Sequence, residues 1–494
     1  MGSDMNRRQF LAASSTAGLA ALAGVVPPVG RALFAAGDAQ KRLRMPPLLD
    51  TQETGLLALT ARTGQTNFLG MAPTRTSGFS QSYLGPTIRM RNGPLPTRIA
   101  NQLYDIVTVH WHGLLVPGEY DGGPQSPVLP GRTWRGEMPI DQRPTTLWYH
   151  SHVCGRTAPD VYAGLAGALH ITDGRDDDRG LPSIYGHDDL TLIYQDRRFN
   201  EAGRMVYDVS RLDIENGFHG NRMLINGQAS AVAVVPRGIV RLRLINASNA
   251  RIYSIHLSDE RPLFLIGTDG GFLPKPVELK FVRMAPGERC EVLVDFADGP
   301  APILMNKRGV SIGVLAFAVD DSSPARIVRI PESLDAEPFD LPEEGVPTRR
   351  LGLNLGGAAI APESAQPLYG TVLCRAGSAG PLVNDFGING HAYNVDRIEF
   401  EVKHGAVERW VIGGGGVVEH PFHIHGIHFR VLSETGGAPP RPENRGWKDT
   451  VLITGETEIV ARFSVPASRD TPYMYHCHIL EHEDAGMMGQ FAVV

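Results

Sequence analysis

The run His476-Cys477-His478-Ile479-Leu480-Glu481-His482-Glu483-Asp484-Ala485-Gly486-Met487 places three imidazoles, a thiol and a thioether within one short segment. In an extended chain, alternate side chains face opposite sides. His476 and His478 would then point one way and Cys477 the other, so that one strand touches two metal sites joined by covalent bonds. With His420 upstream, Cys477, His482 and Met487 make a His₂Cys set with an axial thioether, the donor set of a blue copper electron-transfer site. The spacing Cys477-x₄-His482-x₄-Met487 suits a loop that returns three donors to one metal. Zinc is the competing reading, but zinc sites rarely use a thioether.

The pair His476/His478 has three counterparts, His110/His112, His150/His152 and His423/His425. One His-x-His is a weak signal; four in two matching contexts are a strong one. His110-Trp111-His112-Gly113 is echoed by His423-Ile424-His425-Gly426, and Trp148-Tyr149-His150-Ser151-His152 by Met474-Tyr475-His476-Cys477-His478. The same ordered pair of motifs at both ends of the chain implies two related domains. Two metals with three histidines each and a third with two would use all eight. A centre that collects single electrons beside such a group points to an acceptor needing several, and dioxygen fits.

Between the motifs lie short runs of period-two alternation bounded by Gly, Pro, Asn and Asp, among them Thr108–His112, Ile239–Leu244, Glu291–Asp295 and Gln490–Val494. This is the pattern of β-sandwiches. At about 150 residues per domain, 494 residues suggest three domains. The charged stretch Asp173–Gly180 and the acidic, Pro-containing stretch Asp320–Gly345 are candidate breaks. The expected division is 41–172, 173–330 and 331–494. Apolar residues at 42% and charged residues at 20% exclude a disordered chain. A net charge of −6 without a basic block excludes nucleic acid as a partner. Four cysteines are too few for a disulfide scaffold.

Residues 1–40 read as a twin-arginine signal peptide: Arg7-Arg8 precede a weakly apolar stretch, Phe10–Val26, that ends at Pro27-Pro28. Met1–Asp4, ahead of a second Met5, read as an appended scar. A membrane anchor is the alternative, but Ser14, Ser15, Thr16, Gly18 and Gly24 interrupt a span already short for a bilayer. The expected location is the periplasm or the exterior, with no membrane insertion of the mature chain.

Taken together, the four motifs resemble those of three-domain multicopper oxidases, the family of laccases and periplasmic copper-efflux oxidases, over essentially the whole mature chain. The resemblance implies an all-β chain of three cupredoxin-like (Greek-key β-sandwich) domains and four copper ions. His110 and His423 would hold the type 2 copper. His112, His150, His152, His425, His476 and His478 would hold the type 3 pair, and His420, Cys477, His482 and Met487 the type 1 copper. Every ligand position is filled, a poor match to the copper-free scaffold-like relatives in this family. Reducing dioxygen consumes protons, and Glu483 and Asp121 coincide with acids the family uses to relay them; a plain loop role is the alternative. Asp449 reads as structural.

The remaining histidines, His170, His187, His219, His256, His391, His404 and His428, read as solvent-facing or hydrogen-bonded. Cys290 reads as core, and no pairing among Cys154, Cys290 and Cys374 follows from sequence. The stretch 356–380 holds no Met, so the soft thioether site that Cu(I) would favour is not visible there. With the run Gly413–Gly416, this suggests an open approach to the type 1 copper and organic donors such as phenols or aromatic amines. Glu419, beside His420, would accept a proton or bind a cation. The expected protein is thus a laccase-like oxidase whose partners are O₂ and a small reducing substrate (a phenol, an aromatic amine or a metal ion), acting as a monomer. Oxidation of Cu(I), Fe(II) or Mn(II) in copper tolerance, or a copper-binding cell-envelope scaffold without turnover, are the alternatives.

Overall fold

The computed structural model describes residues 41–308, 310–355, 386–414 and 418–494. The expected leader, the Met-free stretch 356–380 with Cys374, and residues 415–417, which include the second half of the glycine run, lie outside them. Strand accounts for about 47% of the chain and helix for 8%, so the architecture is all-β. Among the described residues no helix is long and apolar enough to cross a membrane.

Six sheets pair into three cupredoxin-like sandwiches. In the first, Leu48–Asp50, Thr87–Met90, Ala166–Ile171 and Thr145–His150 face a sheet of Thr74–Phe79, Leu57–Thr66, Gly93–Asn101 and Thr133–Ile140. Alternate residues of both sheets, such as Leu57, Ile88, Leu147 and Leu169, fill the space between them. The second sandwich has a larger core that includes Leu192, Leu242, Ile255, Val292 and Leu315. In the third, Trp410, Phe422, Tyr475 and Phe491 form an aromatic centre in which Cys477 is embedded.

Three sequence expectations change. Thr108–His112 forms no continuous strand; the segment makes one bridge, His110 to His150, because its side chains serve the space between sandwiches rather than a ladder. Asp320–Pro324 is not linker but the end of the strand Val310–Pro324, which runs parallel to Ala231–Arg237. Lys41–Arg42 pair with Ala231–Val232 and so extend a sheet of the second sandwich rather than the first. The irregular segment that follows 324 still packs on the second sandwich, with Leu334 in a cluster with Ile239, Phe272 and Leu293.

The first two sandwiches meet across buried charge. Glu291 accepts hydrogen bonds from Thr146 Oγ1 of the first sandwich (2.6 Å), Arg241 Nε (2.8 Å) and Arg243 Nη1 (3.2 Å). Arg243 also grips both oxygens of Asp189. Burial alone would raise the Glu291 carboxyl, but Arg241 and Arg243 hold it down at about 2, against an ordinary 4.5. A depressed carboxylate stabilises the fold above its unfolded value, and that contribution disappears as pH falls through the folded one. Acidification from about pH 4.5 to 2 is therefore expected to remove roughly 3 kcal/mol. Denaturant melts of Glu291→Gln should show a lower stability and a flatter pH dependence in that window; an unchanged slope would refute the assignment.

Candidate metal centre

Eight imidazoles from the first and third sandwiches converge where the two meet, and all are buried. Thr145–His150 delivers His150; the bridge between His110 and His150 aligns the first two motifs. His420–Ile424 lies antiparallel to Tyr473–Cys477, with His423 opposite His476. The Nε2 atoms of His110 and His423 stand 3.4 Å apart. Those of His152 and His425 lie 3.3 and 3.2 Å from His476 Nε2. The rings of His112, His150 and His478 form a third group, with centroids 5.0–5.8 Å apart.

The nitrogens turned away from this space are mostly tied to oxygen. His110 Nδ1 donates to Asp121 O (3.0 Å), His150 Nδ1 to Ser151 O (2.9 Å), His423 Nδ1 to Asp449 O (2.9 Å) and His476 Nδ1 to Cys477 O (3.1 Å). His425 Nδ1 donates to Asp121 Oδ2 at 2.7 Å, and His112 Nε2 to Asp449 Oδ1 at 3.1 Å. The inward nitrogens His112 Nδ1, His150 Nε2 and His478 Nε2 have no hydrogen-bond partner despite full burial. Orphaned buried nitrogens are costly unless something else satisfies them. Rings fixed by an outer hydrogen bond and open on the inner side are the arrangement of metal-binding histidines. Burial lowers His112, His150, His425 and His478 well below the ordinary imidazole range, and puts His152 at about 3 and His423 at about 4. These six rings are neutral and ready to donate.

On the other face of the same strand, Cys477 Sγ lies 3.4 Å from His420 Nδ1 and 3.6 Å from His482 Nδ1. Met487 is buried in the same cluster as Cys477, and its carbonyl accepts from Cys477 N (3.1 Å). Burial raises the thiol of Cys477 and lowers His420 to about 4 and His482 to about 3. A metal at this point would ionise the thiol, and two imidazoles, a thiol and a nearby thioether suit copper.

The two relay candidates touch the imidazoles. Asp121 bridges His110 and His425. Glu483 is buried, with Oε2 3.1 Å from His476 Nδ1 and Oε1 3.6 Å from His152 Nδ1. Asp449 does more than the sequence suggests, because its carboxylate and carbonyl hold His112 and His423.

Sequence reading passed over two further acids, both in the helix Leu480–Asp484. Glu481 bonds Tyr207 Oη (3.0 Å), Asn249 Nδ2 (2.8 Å) and Phe218 N (3.1 Å) of the second sandwich. Asp484 accepts the N–H groups of Thr157 (2.9 Å) and Ala158 (2.8 Å) in the first. Their signal was present: acidic residues at non-ligand positions inside a ligand run must be paid for by partners when buried.

The expected open approach to Cys477 is absent among the described residues. His420 and His482 are both 0% exposed. His482 Nε2 donates to Glu215 O (3.3 Å) of the helix Arg211–Asn216, and Phe386 stands 4.8 Å from its ring. Glu419 is held by Arg283 Nη2 at 2.7 and 2.6 Å, an ion pair rather than a waiting base. Of the cysteines, Cys154 is disulfide-bonded, while Cys290 and Cys477 are free, with Cys290 in the core of the second sandwich. Of the histidines read as bystanders, His428 is of the hydrogen-bonded kind and buried, with Nε2 donating to Gly113 O (2.9 Å). His170 is likewise buried, against Thr191 Oγ1 (3.0 Å).

Three cupredoxin-like sandwiches with an imidazole cluster between the first and third, and a thiol on the strand that supplies it, define a copper-oxidase scaffold. The sequence profile described as "Multicopper oxidase" matches residues 60–176 and 367–494. The chain belongs to the multicopper oxidase family. It is 35% identical to proteins called cell division protein FtsP in Dickeya dadantii (98% of both chains) and in Escherichia coli K12 (99% of both). Among solved structures it is similar to a laccase-like multicopper oxidase from Ochrobactrum sp. (TM-score 0.82, 37% identity, 92% of this chain and 100% of that one). That protein is described as having oxidase activity towards lignin model compounds and lignosulfonate. The McoA multicopper oxidase of Aquifex aeolicus aligns with TM-score 0.79 at 28% identity, over 92% of this chain and 99% of that one.

Proposed function

We propose that the chain is a laccase-like copper oxidase of the cell envelope, exported by the twin-arginine route to the periplasm or beyond and acting as a monomer. The observation that carries this reading is the set of inward, unsatisfied imidazole nitrogens beside a buried thiol. His110 and His423 would hold a type 2 copper. His112, His150, His152, His425, His476 and His478 would hold a type 3 pair, and His420, Cys477, His482 and Met487 a type 1 copper. When bound, the four coppers would take electrons singly from a phenolic or aromatic amine donor and reduce dioxygen to water. The chain's own work is to hold and orient. Asp121 and Asp449 fix ring tautomers, the peptide units flanking Cys477 link the thiol to His476 and His478, and Glu483 offers a carboxylate for proton passage.

Copper loading followed by oxygen uptake with a phenol, Cu(I), Fe(II) and Mn(II) in parallel tests the reading. Intense blue colour with phenol-dependent uptake supports it, and uptake with a metal ion alone favours a metallo-oxidase. Full copper occupancy with neither would refute the enzyme. That last outcome favours a second reading, a copper-binding cell-envelope scaffold without turnover, which the near full-length match to relatives called cell division protein FtsP supports.

The helix over His482 bears on donor choice. Its Ser210 cap accepts from Asp213 N, while Asp213 reaches back to Ser210 N. Ser210→Ala removes a cap worth about 1 kcal/mol. Loosening the cover is expected to raise kcat/KM for a bulky phenol about fivefold, with a small inorganic one-electron donor unaffected. Equal changes for both donors would count against the cover.

A further inference from the structure

The second sandwich carries no His-x-His pair, yet the turn before its strand Arg289–Asp295 reaches the imidazoles. A Cβ on Gly287 (φ +85°) would lie 2.9 Å from the His478 ring and 3.1 Å from His112 Cε1, so the backbone packs directly on both rings. Arg289 is fully buried and every guanidinium donor is engaged. Nε donates to Thr146 O (3.2 Å), Nη1 to Gly287 O (2.9 Å) and Asp449 Oδ1 (2.7 Å), and Nη2 to Asp269 O (3.0 Å) and Asp449 Oδ2 (2.5 Å). Asp269 Oδ1 accepts the Arg289 N–H at 2.8 Å, and its Oδ2 lies 3.0 Å from Lys448 Nζ. Asp449, gripped on both oxygens, accepts from His112 Nε2 at 3.1 Å and, through its carbonyl, from His423 Nδ1 at 2.9 Å.

We infer that Arg289 is a positioning residue for the imidazole cluster: its two-pronged hold on Asp449 fixes which nitrogens of His112 and His423 face the shared metal space. The inference rests on the copper reading above and gives the ligand-free sandwich a part in it. His112 donates through Nε2 and is left with Nδ1 inward; His423 donates through Nδ1 and is left with Nε2. A planar fork matches a carboxylate in a way that a lysine cannot. Loss of such an outer partner typically weakens metal binding about 10- to 100-fold.

The test compares full-length, copper-loaded wild type, Arg289→Met, Arg289→Lys and Arg243→Met. Arg243 is a buried arginine of the same sandwich whose carboxylate partners, Asp189 and Glu291, bond arginine and threonine side chains rather than the cluster imidazoles, and it controls for general loosening. Copper content, visible absorption, electron paramagnetic resonance and fluoride titration of the type 2 signal are read. Arg289→Met is expected to keep the blue absorption but to lose the type 2 signal or weaken its fluoride affinity at least tenfold. Arg289→Lys should recover part of the loss, and Arg243→Met should melt earlier with its type 2 signal intact. Wild-type copper content, signal and fluoride affinity in Arg289→Met would overturn the role. If Arg289→Met does not fold, the same wild-type values in Arg289→Lys overturn it, as does an equal type 2 loss in Arg243→Met. A wild-type chain that takes up no copper overturns the copper reading itself, and this role with it.

Discussion

Cys477→Ser is expected to abolish the blue absorption and to lower donor-dependent oxygen uptake by at least about 10³-fold. Cys477 is the one thiol within reach of His420 and His482 among the described residues, and serine offers neither the soft donor nor the ionised sulfur that such a site needs. The substitution is nearly isosteric in a fully packed position, so the sandwich should remain folded and the eight cluster imidazoles undisturbed. Copper content should fall by one ion, with the type 2 resonance preserved. A Cys477→Ser protein that still oxidises a phenol near the wild-type rate would mean that electrons enter elsewhere, and the reading of this strand would be wrong.

Glu483→Gln carries the second large effect, an expected loss of about 10²-fold in turnover. The side chain keeps its length and can still accept a hydrogen bond, but it can no longer take up a proton. Burial alone would raise the Glu483 carboxyl, yet His152 and His476 hold it well below its ordinary range, so it sits ionised against the cluster. Its neighbour Asp484 is pushed the other way, well above the usual range, by burial and by the charge of Glu483. Anaerobic bleaching of the blue band by a donor should be unchanged in Glu483→Gln, since that step needs no proton at the cluster, while re-oxidation by dioxygen should slow. Slowing of both steps alike would instead assign Glu483 to holding the rings in place.

The candidate ligands were legible in the sequence because their geometry is local. Two imidazoles one residue apart share a face wherever the chain is extended, and His476, Cys477 and His478 divide between two faces for the same reason. What the sequence did not show is the frame that holds them. Arg289 and Asp449 are 160 positions apart, and nothing in either local context marks a buried fork. Asp449 reads as structural from its local sequence; its contact with His112 comes from sandwich docking. Among the described residues the expected open approach to the type 1 site is likewise not seen, since a helix from another sandwich covers the His482 ring and no spacing rule reports such a contact. Alternation misled at Thr108–His112, where a polar pattern that fits a strand instead serves a cluster.

The short helix Leu480–Asp484 gives these parts a shared fate. Glu481 holds the second sandwich, Glu483 faces the imidazoles and Asp484 holds the first, all within a few residues of the third sandwich's own thiol. Local opening of any one sandwich would pull on this helix and break hydrogen bonds in the other two. The three units should therefore melt in a single cooperative transition, with the environment of Cys477 lost at the same temperature as the remotest strand.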